Sequence, residues 1–163
     1  VSDSLAQQLD CPTEQMLEIK AVALSRLEQD GPAHIETIAR YDHLRDAYQE
    51  CCNQAGIDFA AVFKQGDALL EAYTCYPVVP MAFLIASGLV ELLEQIPEFL
   101  TQHSITVTGG MNLAKAAWNN PALNALISMH HCLLNGEEQY GMVHGNGGLG
   151  YRQGVALLAK VGS

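Results

Sequence analysis

Gln139-Tyr140-Gly141-Met142-Val143-His144-Gly145-Asn146-Gly147-Gly148 and, upstream of it, Ser104-Ile105-Thr106-Val107-Thr108-Gly109-Gly110 are the two stretches that decide how this chain reads. Each is a short apolar run that ends in paired glycines. A buried strand that stops on glycines lets backbone amides approach a ligand with no Cβ in the way. Between the two lies the best-signalled helix of the sequence. Asn120 is placed to cap it, Pro121 occupies its first helical position, it runs to Leu134, and Asn135-Gly136 closes it.

Working outward, Tyr140–Val143 reads as a buried strand and Val155–Val161 as a last central strand, while Ile105–Val107 is the best strand by β-branched content. Toward the amino terminus, Thr13 is placed to cap a helix whose apolar face is Met16, Leu17, Ile19, Val22, Ala23, Leu24 and Leu27, ended by Asp30-Gly31-Pro32. A second helix is predicted over 35–55, stopped by Gly56, and 57–63 suggests a loop into a short element. Residues 68–76 read as a strand, 81–93 as a strongly apolar helix and 97–100 as a further helical turn. Strands and helices alternate with no repeat or linker, so the class is α/β and residues 1–163 form one domain.

Of the 163 residues, 49% are hydrophobic and 16% charged, which favours a packed core over disorder. The net charge of −10 comes with no cluster of Lys or Arg, which excludes a phosphate-backbone binder, so no nucleic-acid partner is expected. Any anionic ligand must then be held by backbone amides and dipoles. Five cysteines at 11, 51, 52, 75 and 132, an odd number without two-residue spacing, and the lack of a signal-peptide pattern point to reduced thiols and a cytoplasmic protein. The uncharged run 72–90 approaches the length of a membrane span, but Pro77 and Pro80 break it early, and no membrane partner is expected.

Several motifs carry possible chemistry. Gly145-x-Gly147-x-x-Gly150 matches a dinucleotide fingerprint, but only 13 residues follow it, too few for the helix, strand and acid that such a site requires. Adjacent His130 and His131 point about 100° apart on a helix and lack a further ligand at helical spacing, so no metal is expected. His34, His43 and His103 have no evident companions. His144, where a strand passes into a glycine turn, is a candidate acid or base, or else fills a polar gap. Cys75, at the end of another apolar run, is either a packed thiol or a nucleophile awaiting a base.

Three segments in this order resemble the carboxy-terminal half of the thiolase superfamily, closest to its divergent acetyl-CoA acetyltransferase-like branch related to sterol-carrier-protein-type thiolases. They are Asp67 to Pro77, with Tyr73-Thr74-Cys75-Tyr76-Pro77; Ile105 to Gly110, followed by Trp118-Asn119-Asn120-Pro121; and Tyr140 to Gly148. With Asn53 to Asp58, the resemblance covers about 40–163, and 1–40 is a poorly matched helical lead-in. The resemblance implies a thiolase-like half, a mixed central sheet covered by helices, that works on an acyl-CoA thioester as substrate with no other cofactor. It also implies an amino-terminal half or partner subunit carrying the nucleophilic cysteine, and a homodimer.

The family's Gly-His-Pro histidine has no counterpart in Met111 to Ala117, and its condensing cysteine falls near Gly145, so the chain alone is not expected to condense acyl groups. What remains is a set of oxyanion donors: amides at Gly109, Gly110, Gly147 and Gly148 for a thioester carbonyl, Tyr73 or Asn146 as side-chain donors, His144 as the titratable group, and Cys75 beside them. The alternative is a degenerate, non-catalytic thiolase-like domain that binds a partner or an acyl thioester without turning it over.

Overall fold

The structure is a computed structural model that describes residues 2–10, 12–113 and 120–162. Its centre is a four-stranded mixed sheet made of β1 (Leu17–Arg26), β2 (Ala68–Glu71), β3 (Tyr140–Gly147) and β4 (Arg152–Lys160), in the spatial order β1-β4-β3-β2. β4 pairs antiparallel with both β1 and β3, and β2 joins β3 in parallel. The helices are α1 (Asp3–Gln8), α2 (Ile35–Ile38), α3 (Asp42–Ala55), α4 (Phe59–Lys64), α5 (Val78–Ala86), α6 (Ile96–Gln102) and α7 (Pro121–Asn135). The α/β class and the mixed sheet covered by helices are as the sequence leads one to expect.

Two layers of helix sandwich the sheet. On one face, Leu44 of α3, Phe59 of α4 and Phe83 of α5 pack on Leu70, Met142, Val155 and Leu157 in the main core. On the other, Ala125, Met129 and Leu133 of α7 pack on Val143 and Leu158. α7 can lie this close because β3 carries Gly141 beneath it, where a Cβ would meet Met129 Sδ at 2.5 Å and Leu133 Cδ1 at 3.0 Å. No helix among the described residues is long and apolar enough to cross a membrane. In the 72–90 run, α5 spans only Val78–Ala86, and its prolines sit at or before the first turn, where backbone amides have no intrahelical partner.

Three expectations are corrected. The helix expected from Thr13 is instead β1, because 17–26 also alternates: Ala21 and Ala23 are buried, whereas Val22 and Leu24 are 51% and 82% exposed. Its pairing from Leu17↔Lys160 to Arg26↔Arg152 satisfies the edge of β4, and a bulge between Ile19 and Ala21 resets the alternation. The helix over 35–55 is two helices, broken where Tyr41 takes a left-handed φ of 53°. Ile105–Val107 is not a strand. Ala72 N–H donates to the Ile105 carbonyl, but the buried Glu71 carboxylate, rather than a neighbouring strand, then takes the amides of Val107 and Thr108 at 2.6 and 2.9 Å.

The Gly145–Gly150 stretch completes β3 and turns directly into β4. The helix N-terminus that a pyrophosphate requires does not follow it.

Candidate functional site

β2 and β3 run parallel, so the segment after β2 and the end of β3 emerge side by side. Tyr73, two residues past β2, donates its backbone N–H to Nδ1 of His144 at 3.3 Å. Thr74 reaches the first glycine turn, where its Oγ1 accepts the Met111 N–H at 2.7 Å, and a Cβ on Gly110 would stand 3.1 Å from the same oxygen. Cys75 Sγ receives Nδ2–H of Asn146, on the second glycine stretch, at 3.9 Å. One three-residue segment therefore ties together both stretches that the sequence singles out.

Glu71 holds the first of them. Besides the amides of Val107 and Thr108, its carboxylate accepts the Thr108 hydroxyl at 2.6 Å, and that hydroxyl in turn accepts the Gly110 N–H at 3.2 Å. A carboxylate buried among three donors is a rigid anchor. It sets the path of the chain into Gly109-Gly110 without a ladder.

His144 is 1% exposed, stacked on the Phe83 ring at 4.8 Å and edge-on to Tyr73 at 6.5 Å. Its Nε2–H donates to Oε1 of Gln153 at 2.8 Å. Both ring nitrogens are thus in use, and burial lowers its pKa to about 4, so at neutral pH the ring is uncharged. Gln153, 2% exposed, donates from Nε2 to Oδ1 of Asn146, its partner across the β3–β4 register, and to the Gly150 carbonyl, both at 2.8 Å. His43, assigned no companion from sequence, donates Nε2–H to that same carbonyl at 2.7 Å, and its buried Nδ1 has no partner among the described residues. Burial is also the main cause that pushes the Cys75 thiol and the Tyr73 hydroxyl above their ordinary values, so both stay protonated at neutral pH.

Beside this network a groove of about 510 Å³ opens between the start of α7 and the sheet. Tyr73, Asn146 and Gly147 contribute to its wall, together with Asn120 just before α7, Leu123 of α7 and Leu24 of β1. His144, Cys75, Gly109, Gly110 and Gly148 do not line it. The groove continues into an apolar surface, with Ile19, Val22, Leu24, Leu123 and Ile127 all more than half exposed. Trp118 and Asn119, and Ala114 to Ala117 of the region compared with Gly-His-Pro, lie outside the described residues.

Sequence reasoning does not reach Gln153, Glu71, Thr74, Thr108 or His43. Two signals were present: Glu71 is a charge set inside the apolar run 68–72, and Gln153 is an uncharged amide two residues before Val155 on the same strand face. Among the described residues no three His, Cys, Asp or Glu side chains gather to hold a metal ion.

No family model and no curated protein matches the chain. Among solved structures, it is similar to a monomeric SCP2-thiolase like protein type 1 (STLP1) from Mycobacterium smegmatis, at 17% identity and a TM-score of 0.76. The match covers 100% of this chain and 33% of that one, so the chain spans about a third of the protein it resembles. The fold is therefore thiolase-like.

Proposed function

We propose that this chain is the carboxy-terminal domain of a thiolase-like acyl-CoA acyltransferase, which supplies thioester-binding donors while the nucleophilic cysteine stands on an amino-terminal half or partner subunit. The observation that carries the reading is the convergence of the two glycine stretches on Tyr73-Thr74-Cys75. Three short segments far apart in sequence meet there, and the backbone bonds among them hold in place the Asn146 side-chain amide, a donor that faces only a thiol at 3.9 Å and can turn to a carbonyl oxygen. The apolar surface of β1 and α7 beside the groove supports a second half or a second copy as its cover, since a patch of this kind on a lone domain favours association. In this reading Asn146 and Tyr73 touch the acyl thioester, His144 fixes the backbone of Tyr73, and the Cys75 thiol takes the Asn146 N–H until the ligand arrives.

A specific observation favours the second reading, a non-catalytic thiolase-like domain. His144, the histidine that joins Tyr73 to Gln153, has both ring nitrogens engaged and is neutral at physiological pH, so as placed it neither gives nor takes a proton. Incubation of the natural polypeptide carrying this chain with acetyl-CoA separates the two. Release of free CoA with an acetyl group trapped on a cysteine outside this chain supports the acyltransferase. Saturable binding without release supports the non-catalytic domain, and neither binding nor release overturns both.

A further inference from the structure

We propose that Gln153 is a positioning residue that acts with His144 to lock the Asn146 side-chain amide as a hydrogen-bond donor to the carbonyl oxygen of an acyl thioester, an assignment that rests on the acyl-thioester reading above. The orientation of a side-chain amide has to be argued from its surroundings. Here two backbone atoms argue it independently. The Tyr73 N–H can only donate, so Nδ1 of His144 carries a lone pair and the proton of the neutral ring sits on Nε2. That N–H needs an acceptor, which turns Oε1 of Gln153 toward it.

At the other end the Gly150 carbonyl can only accept, so the atom of Gln153 that faces it is Nε2. Both anchors give Gln153 the same orientation. Reversing it would set oxygen against oxygen at Gly150 and N–H against N–H at His144, in a site where Gln153 is 2% exposed and water offers no substitute. The second lone pair of Gly150 already serves His43, which closes that route as well.

With one N–H on Gly150, the other N–H of Gln153 goes to Oδ1 of Asn146. The Asn146 carbonyl is thereby occupied and its NH2 is turned outward, toward Cys75. A thiol sulfur 3.9 Å away is a weak acceptor that a carbonyl oxygen displaces readily. The whole relay thus has a single output: a pre-oriented donor at the end of β3, which needs no reorganisation when charge develops on an oxygen. The ligand atom that meets Asn146 is an acceptor.

The test combines a spectroscopic and a binding readout on the natural polypeptide. Nitrogen-15 spectra of the histidine rings are expected to show His144 as the Nε2–H tautomer, a result that requires no variant. Calorimetric titration with acetyl-CoA and with CoA, which lacks the acyl carbonyl, is expected to show about tenfold weaker acetyl-CoA binding in Gln153→Met, with CoA binding unchanged. An Nδ1–H tautomer in the wild type, or equal loss of both ligands in the folded variant, overturns the relay. A wild type that shows the expected tautomer yet binds acetyl-CoA no better than CoA overturns the acyl-carbonyl assignment and leaves the orientation of Gln153 standing.

Discussion

Gly141 lies in β3 directly beneath α7, with Met129 and Leu133 above it and both of them fully buried. In Gly141→Ala the new methyl would stand 2.5 Å from Met129 Sδ, 2.8 Å from Met129 Cγ and 3.0 Å from Leu133 Cδ1, whereas ordinary contact begins at 3.4 Å. Methionine is a flexible neighbour, yet two of its atoms and a leucine methyl must retreat together into a packed core. Overpacking of this kind costs roughly 1–3 kcal/mol. For a domain of this size that is a fall in Tm of about 2–4 °C per kcal/mol. Urea unfolding followed by circular dichroism is expected to show a lower midpoint with an unchanged slope.

A double-mutant cycle supplies the decisive number. Met129→Ala alone leaves a cavity and costs about 2–5 kcal/mol, but combined with Gly141→Ala the added methyl occupies part of that space. The two changes are therefore expected to couple favourably by about 1 kcal/mol or more. A Gly141→Ala protein within 0.5 kcal/mol of wild type, or strict additivity of the pair, would refute the idea that this glycine exists to seat α7.

Two further outcomes follow from the network around β3. The folded-state pKa of His144, lowered to about 4, lies below its unfolded value of 6.5. Between these values the unfolded chain binds the extra proton, so stability is fully present above pH 6.5 and falls as the pH drops toward 4, by on the order of 3 kcal/mol from this group. Unfolding midpoints at pH 7.5 and 4.5 measure the loss, and His144→Gln is expected to flatten it; an unaltered pH dependence in that variant would count against a buried neutral ring. Glu71→Ala frees the amides of Val107 and Thr108 and the Thr108 hydroxyl, at a cost of roughly 2–4 kcal/mol. Amide hydrogen exchange should then accelerate at Val107 and Thr108 before it does in β3, and uniform acceleration across the sheet would contradict a local anchor.

Much of the fold was legible because it is written in local chemistry. The Asn120-Pro121 start and the Asn135-Gly136 stop delimit α7 to within a residue, although Asn120 makes no side-chain capping bond and Gly136 stays at a negative φ; the proline at the first helical position marks the start by its own fixed backbone and needs no distant partner. β3 and β4 announced themselves through apolar runs that the chain buries on both faces. For the site, His144 and Asn146 were legible in the second glycine stretch and Tyr73 and Cys75 through the resemblance, and the structure pairs Tyr73 with His144 and Cys75 with Asn146.

The rest was decided by tertiary structure. Leu17 to Leu27 fits a helical face and a strand face about equally well, and only the unpaired edge of β4 selects the strand. Ile105–Val107 has strand composition, yet the Glu71 carboxylate, 36 and 37 positions away in sequence, takes the amides of Val107 and Thr108, and no local pattern encodes that. The state of His144 is a tertiary matter too. From sequence it was a candidate acid or base; enclosure by Phe83, Tyr73 and Gln153 makes it a neutral, doubly bonded ring. Residue type and turn chemistry determined which groups were available, because those are properties of short segments. Burial and the pairing of donors with acceptors determined what those groups can do, because hydrogen bonds and desolvation act between residues that only the folded chain brings together.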